Sequence, residues 1–75
     1  MSEELTDKQK NILIKIQDYF EEYGYSPSIR DICSMTGLKS TATVFDYLNR
    51  IKEKGYIDYC KGKFRTIVIL KRVDE

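Results

Sequence analysis

The sequence predicts a mainly α fold with a small β-hairpin: a three-helix winged helix-turn-helix. Three observations carry this. Three successive segments place apolar residues at helical spacing behind a polar capping residue. The second and third are separated only by the short linker Gly37-Leu38-Lys39. After Gly55 the pattern changes from helical spacing to short runs rich in β-branched and aromatic residues. The 75 residues make one domain, 1–75, and a small one. A chain of this size buries only about 60% of its unfolded surface.

The first helix is expected over about residues 7–23. Thr6-Asp7-Lys8-Gln9 fits a capping box, in which Thr6 accepts from the Gln9 amide and Gln9 reaches back. Ile12, Leu13, Ile16, Phe20 and Tyr23 then form one apolar stripe, and Gly24 suits the left-handed position that ends a helix. Pro27 disfavours helix at Ser26, so a new element begins after it. The second helix is expected over about 28–36, capped by Ser28 with Asp31 and closed by Gly37. Ile29, Ile32 and Cys33 give it a short inward face.

The third helix is expected over about 40–54, with Ser40 as its cap and Gly55 just past its end. Val44, Leu48 and Ile51 mark its core side. Ala42, Asp46 and Asn49 point away, flanked by Thr43 and Phe45. Arg50, Lys52 and Lys54 fall in its last turns, where cations are favoured. A hairpin over about 56–70 follows, its runs YIDYC and FRTIVIL joined by Lys61-Gly62-Lys63. Ile57, Ile67 and Ile69 are expected to pack on the helices.

Composition excludes several function classes. The chain is 41% hydrophobic and 33% charged, ordinary for a soluble globular domain. It has no run of the ~18 apolar residues that a membrane span needs, and no signal peptide, so a cytoplasmic location is expected. Cys33 and Cys60 stand far apart, there is no histidine, and no metal site or cofactor is expected. The missing histidine also removes the commonest general base. No glycine-rich phosphate loop is present, and no enzymatic activity is expected. The six tyrosines are scattered over helices and strand, which argues against a stacking platform for single-stranded nucleic acid.

Charge is divided unevenly. Residues 1–37 carry four Lys and Arg against seven Asp and Glu, net −3, while residues 38–75 carry nine against five, net +4. Charge alone is explained well enough by a solvated surface. The start of the third helix adds something. Lys-Ser-Thr-Ala-Thr, residues 39–43, offers only small or hydrogen-bonding side chains and one cation before the first large apolar residue. Ser40 taken alone needs no explanation beyond capping. In company with the basic hairpin, the stretch suits a helix end that approaches a base edge or a phosphate closely.

The ordered motifs also resemble the N-terminal DNA-binding domain of LexA-type repressors, which control the bacterial SOS response. The likeness rests on Leu5-Thr6 with Gln9, Gly24 with Pro27-Ser28 and Ile32, and Gly37-Leu38-Lys39-Ser40. It continues through Leu48 with Ile51, then Lys54-Gly55-Tyr56-Ile57, and closes on RTIVIL, so that it covers about residues 5–70. The resemblance implies a transcription repressor domain whose third helix lies in the major groove of double-stranded DNA, with the wing on the backbone. Carried over by position, it implies base contacts from Ser40, Ala42, Thr43, Phe45 and Asp46. It implies phosphate contacts from Ser28, Arg30, Lys39, Thr41, Lys61, Lys63 and Arg65. A palindromic operator and pairing of two copies on DNA would suit such a domain. The family's second domain, with its Ser-Lys self-cleaving site, scissile Ala-Gly bond and dimer contacts, has no counterpart in these 75 residues. The expectation is an excised domain or a stand-alone relative that does not sense damage by self-cleavage.

Phe45 admits three readings: contact with a thymine methyl, a protein contact, or a satellite of the core beneath the wing. An alternative function follows from the second reading, a winged-helix protein-interaction module that uses an exposed third helix and Phe45. Asp46 either accepts from a cytosine amino group, repels wrong sequences, or stays solvated.

Overall fold

The computed structural model describes residues 4–60 and 66–73. Its helices are α1 (Asp7–Tyr23), α2 (Ile29–Thr36) and α3 (Thr41–Glu53), followed by strands β1 (Ile57–Asp58) and β2 (Val68–Ile69). The strands pair antiparallel, Ile57 opposite Ile69 and Asp58 opposite Val68. The mainly helical fold with a small hairpin is as expected.

Local chemistry sets the helix ends. At α1 the Gln9 amide donates to Thr6 Oγ1 at 3.2 Å, and the Thr6 amide donates to Gln9 Oε1 at 3.2 Å. At α2 the same box joins Ser28 and Asp31, with distances of 3.1 and 3.0 Å. Tyr19 of α1 adds a hydroxyl bond to the same Asp31 carboxylate at 3.1 Å, which ties the two helices together. At α3 the Ser40 hydroxyl accepts from the Ala42 amide. Gly37 sits at φ 77°, a left-handed conformation that lets α2 stop and α3 leave at once in a new direction.

The core forms where the three stripes meet. Ile12, Leu13 and Ile16 of α1, Ile32 of α2, and Val44, Leu48 and Ile51 of α3 are all buried, and Ile57 and Ile67 close it from the hairpin. Each such side chain contributes about 1.5–3 kcal/mol on leaving water. Tyr23 departs from its expected place in the stripe, being 52% exposed. Tyr23 packs with Tyr19 and Tyr25 instead, ring centroids 4.4–6.0 Å apart.

Polar tethers hold the chain beyond the helices. The buried Gln17 carboxamide donates to the Val73 carbonyl at 3.0 Å and accepts from the Val73 amide at 2.8 Å. Lys54 at the end of α3 donates to the Glu4 carbonyl and to Gln9 Oε1, both at 2.8 Å. The start of α1 and the end of α3 are thereby joined.

Candidate nucleic-acid interface

The turn into α3 is built by its own residues. Thr36 Oγ1 donates back to the Ile32 carbonyl at 2.7 Å and accepts from the Leu38 amide at 3.3 Å. The chain is thus held through Gly37 and delivers Lys39 to the surface. Lys39, Ser40, Thr41, Ala42 and Thr43 are all exposed. No acidic residue lies in the first turn of α3, so the positive end of the helix is uncompensated. The helix can therefore present amides, hydroxyls and methyl groups to an anionic surface.

Beside this end runs a groove between α2, α3 and the roots of the hairpin. Arg30, Thr41, Phe45, Tyr59, Cys60 and Thr66 line it. It brings Arg30 of α2 and Thr41 of α3 to one concavity. Both were expected on the phosphate side. The Thr66 hydroxyl joins the two hairpin arms, accepting from the Cys60 amide at 2.9 Å and donating to the Cys60 carbonyl at 3.2 Å. Lys61, Lys63 and Arg65, the expected wing cations, lie outside the described residues.

Burial bears on two of the expected contacts. Ser28 is only 5% exposed. Its hydroxyl caps α2, accepting from the Asp31 amide at 3.1 Å. Phe45 is not an exposed ring. It is half-buried, and its ring stacks on that of Tyr59 with centroids 6.3 Å apart. The helical wheel placed it correctly off the core of the three helices, but the hairpin arrives there and covers it. The protein-interaction reading loses the exposed Phe45 that motivated it. Asp46 is solvated and pairs with Arg50 one turn on at 3.4 Å. An exposed pair of this kind contributes about 0.3–0.5 kcal/mol.

Tyr59 was not singled out as a site residue from the sequence. Buried at 7% exposure, it donates its hydroxyl to Asn49 Oδ1 of α3 at 2.5 Å. The Lys52 ammonium stands 5.3 Å from its ring centroid, donates to its carbonyl at 3.3 Å, and pairs with Asp58 at 3.2 Å. Burial pushes the Tyr59 phenol pKa up, and the nearby Lys52 offsets part of the effect. Tyr59 is thus one of the residues that fasten the hairpin to α3, beside the Lys52–Asp58 pair. Alternation within YIDYC puts Tyr59 on the Ile57 side, the one sequence signal that could have found it.

Ser26 was also missed. Its buried hydroxyl accepts from the Ile67 amide at 3.1 Å, across 41 residues. Among the described residues no group of three or more metal-ligating side chains occurs. None of the described helices is long and apolar enough to cross a membrane.

Residues 2–66 match the family model described as the LexA DNA binding domain. Among curated relatives, the LexA repressor of Caldicellulosiruptor saccharolyticus is 47% identical over 70 residues, covering 93% of this chain and 35% of the relative. The LexA repressor of Moorella thermoacetica is 44% identical over 70 residues, 93% of this chain and 34% of the relative. That of Desulfatibacillum aliphaticivorans is 42% identical over 69 residues, 92% of this chain and 34% of the relative. The chain thus spans about a third of the length of the curated relatives it matches.

Proposed function

Because the chain belongs to the LexA DNA-binding domain family, we propose that it is a sequence-specific reader of double-stranded DNA that acts as a transcription repressor domain. The observation that carries this reading is the start of α3. Five consecutive small or cationic side chains, Lys39 to Thr43, stand exposed at an uncompensated helix N-terminus. A major groove about 12 Å wide admits such a helix end. Ser40, Ala42, Thr43 and Asp46 are the base-edge candidates, with Phe45 reaching a base only from the groove wall. Lys39, Thr41 and Arg30 meet the flanking phosphates, and Lys61, Lys63 and Arg65 clamp the backbone from the wing.

Two such domains would occupy a palindromic operator, one half-site each, with centres about one helical turn apart. No catalytic step is assigned to this chain, and its partner class is DNA in the cytoplasm.

The test is selection of a randomised duplex pool followed by fluorescence anisotropy at two salt concentrations. An enriched palindrome bound with steep salt dependence is the expected result. Absence of binding to any duplex at low salt would refute the reading.

A further inference from the structure

We propose that Asn49 is a further DNA contact of α3, a neutral hydrogen-bond donor to a backbone phosphate, and that Tyr59 is the positioning residue that aims it. The inference rests on the DNA-binding reading above. It starts from the outward face of α3. Ala42, Asp46 and Asn49 share that face at helical spacing, and Asn49 is exposed.

An exposed asparagine on a groove-entering helix would ordinarily be free to offer adenine a paired donor and acceptor. Here the carboxamide oxygen is already engaged. The Tyr59 hydroxyl donates to Asn49 Oδ1, which turns the carboxamide oxygen inward. The amino group Nδ2 is then the outward end, and it has no partner among the described residues. Tyr59 itself cannot swing away. Its ring lies against Phe45, Lys52 holds its carbonyl, and its own amide donates to Asp58 Oδ1 at 2.8 Å. The side chain of Asn49 is thus a fixed donor rather than an adaptable amide.

Position along the helix selects what it meets. Asn49 is seven residues beyond Ala42, a rise of about 10 Å. The major groove is only about 8.5 Å deep. With the N-terminal turn of α3 at the base edges, a residue two turns further along lies away from them, toward phosphate oxygens that accept only. The neighbouring cations are paired within the fold, Arg50 with Asp46 and Lys52 with Asp58 and the Tyr59 carbonyl, and any phosphate contact they make adds to that of Asn49.

The experiment measures affinity for the selected site and for a random duplex across a salt series, with urea unfolding as the control for folding. Asn49→Ala is expected to weaken binding about tenfold on both duplexes. The salt slope stays unchanged, because no cation is removed and no counterion release is lost. Asn49→Asp keeps the acceptor for Tyr59, so it folds, yet it binds more weakly than Asn49→Ala because its second oxygen repels phosphate. Tyr59→Phe weakens binding about threefold and has no further effect once Asn49 is alanine. Wild-type affinity in Asn49→Ala and Asn49→Asp would overturn the proposal. So would a loss confined to the selected site, which would make Asn49 a base reader, or a Tyr59→Phe effect undiminished in the alanine background. Failure of the wild-type chain to bind either duplex would instead sink the DNA-binding reading itself.

Discussion

Replacing Ser26 with alanine removes one hydroxyl and leaves the Ile67 amide without its acceptor. Ser26 is 6% exposed and Ile67 3%, so water does not readily take the vacant place. A buried donor left unsatisfied costs about 1–3 kcal/mol, and the central value of about 2 kcal/mol applies to a bond of 3.1 Å. In a domain of 75 residues each kcal/mol moves the melting temperature by about 4–8 °C. The expected loss for Ser26→Ala is therefore about 8–16 °C, read by circular dichroism at 222 nm as an ordinary far-ultraviolet probe of helix. Hydrogen exchange gives the local readout. The Ile67 amide should lose more protection than the amides of Leu13 and Ile16, which lie deep in α1. A melting temperature within about 3 °C of wild type, with Ile67 still protected, would refute the claim that this bond fastens the returning hairpin arm.

Four other outcomes are expected. Gln17→Ala removes both bonds to Val73 and should cost about 2 kcal/mol in urea unfolding, a loss absent from a variant truncated before Val73. Gly37→Ala should cost about 1–2 kcal/mol in the same assay, since φ 77° is strained for any residue with a Cβ even where nothing crowds it. Converting Lys61, Lys63 and Arg65 to alanine together should weaken binding on every duplex and flatten the slope of log affinity against log salt by about 2.7 if each meets a phosphate; an unchanged slope rejects the clamp. Tyr59 makes stability pH-dependent on the alkaline side. Its folded pKa is raised above the unfolded value of 10.0, so the unfolded state releases its proton first. Stability from this group is full below pH 10.0 and is lost as pH rises through the folded pKa. Tyr59→Phe should flatten the fall of the urea midpoint above that pH, and equal falls in both proteins would reject the assignment.

Asn49 and Phe45 show how far a helical wheel reaches. The sequence placed both away from the Val44-Leu48-Ile51 stripe of α3; Asn49 is exposed, while Phe45 packs against the core from the hairpin side. It could not say which reading of Phe45 would hold, nor that the Asn49 carboxamide would accept from a tyrosine of the hairpin. That depended on Tyr59, which reaches α3 only because the hairpin folds back against it. Ser28 shows a related limit. Its capping role is written in the spacing to Asp31, three residues away, and the structure has that box. Its burial is set by neighbours far along the chain, so spacing could not show it.

What the sequence determined by itself was local. Capping boxes, the left-handed glycines and the stripes Ile12-Leu13-Ile16 and Val44-Leu48-Ile51 each act within a turn or two of helix, where spacing alone fixes which groups can meet. The tertiary structure alone decided the closure of the hairpin. Ser26 meets Ile67 across 41 residues and Gln17 meets Val73 across 56, and bonds of that span have no period to betray them. They form because burial of Ile57 and Ile67 brings the chain back onto the helices. The polar groups carried in with them must then find partners in the interior.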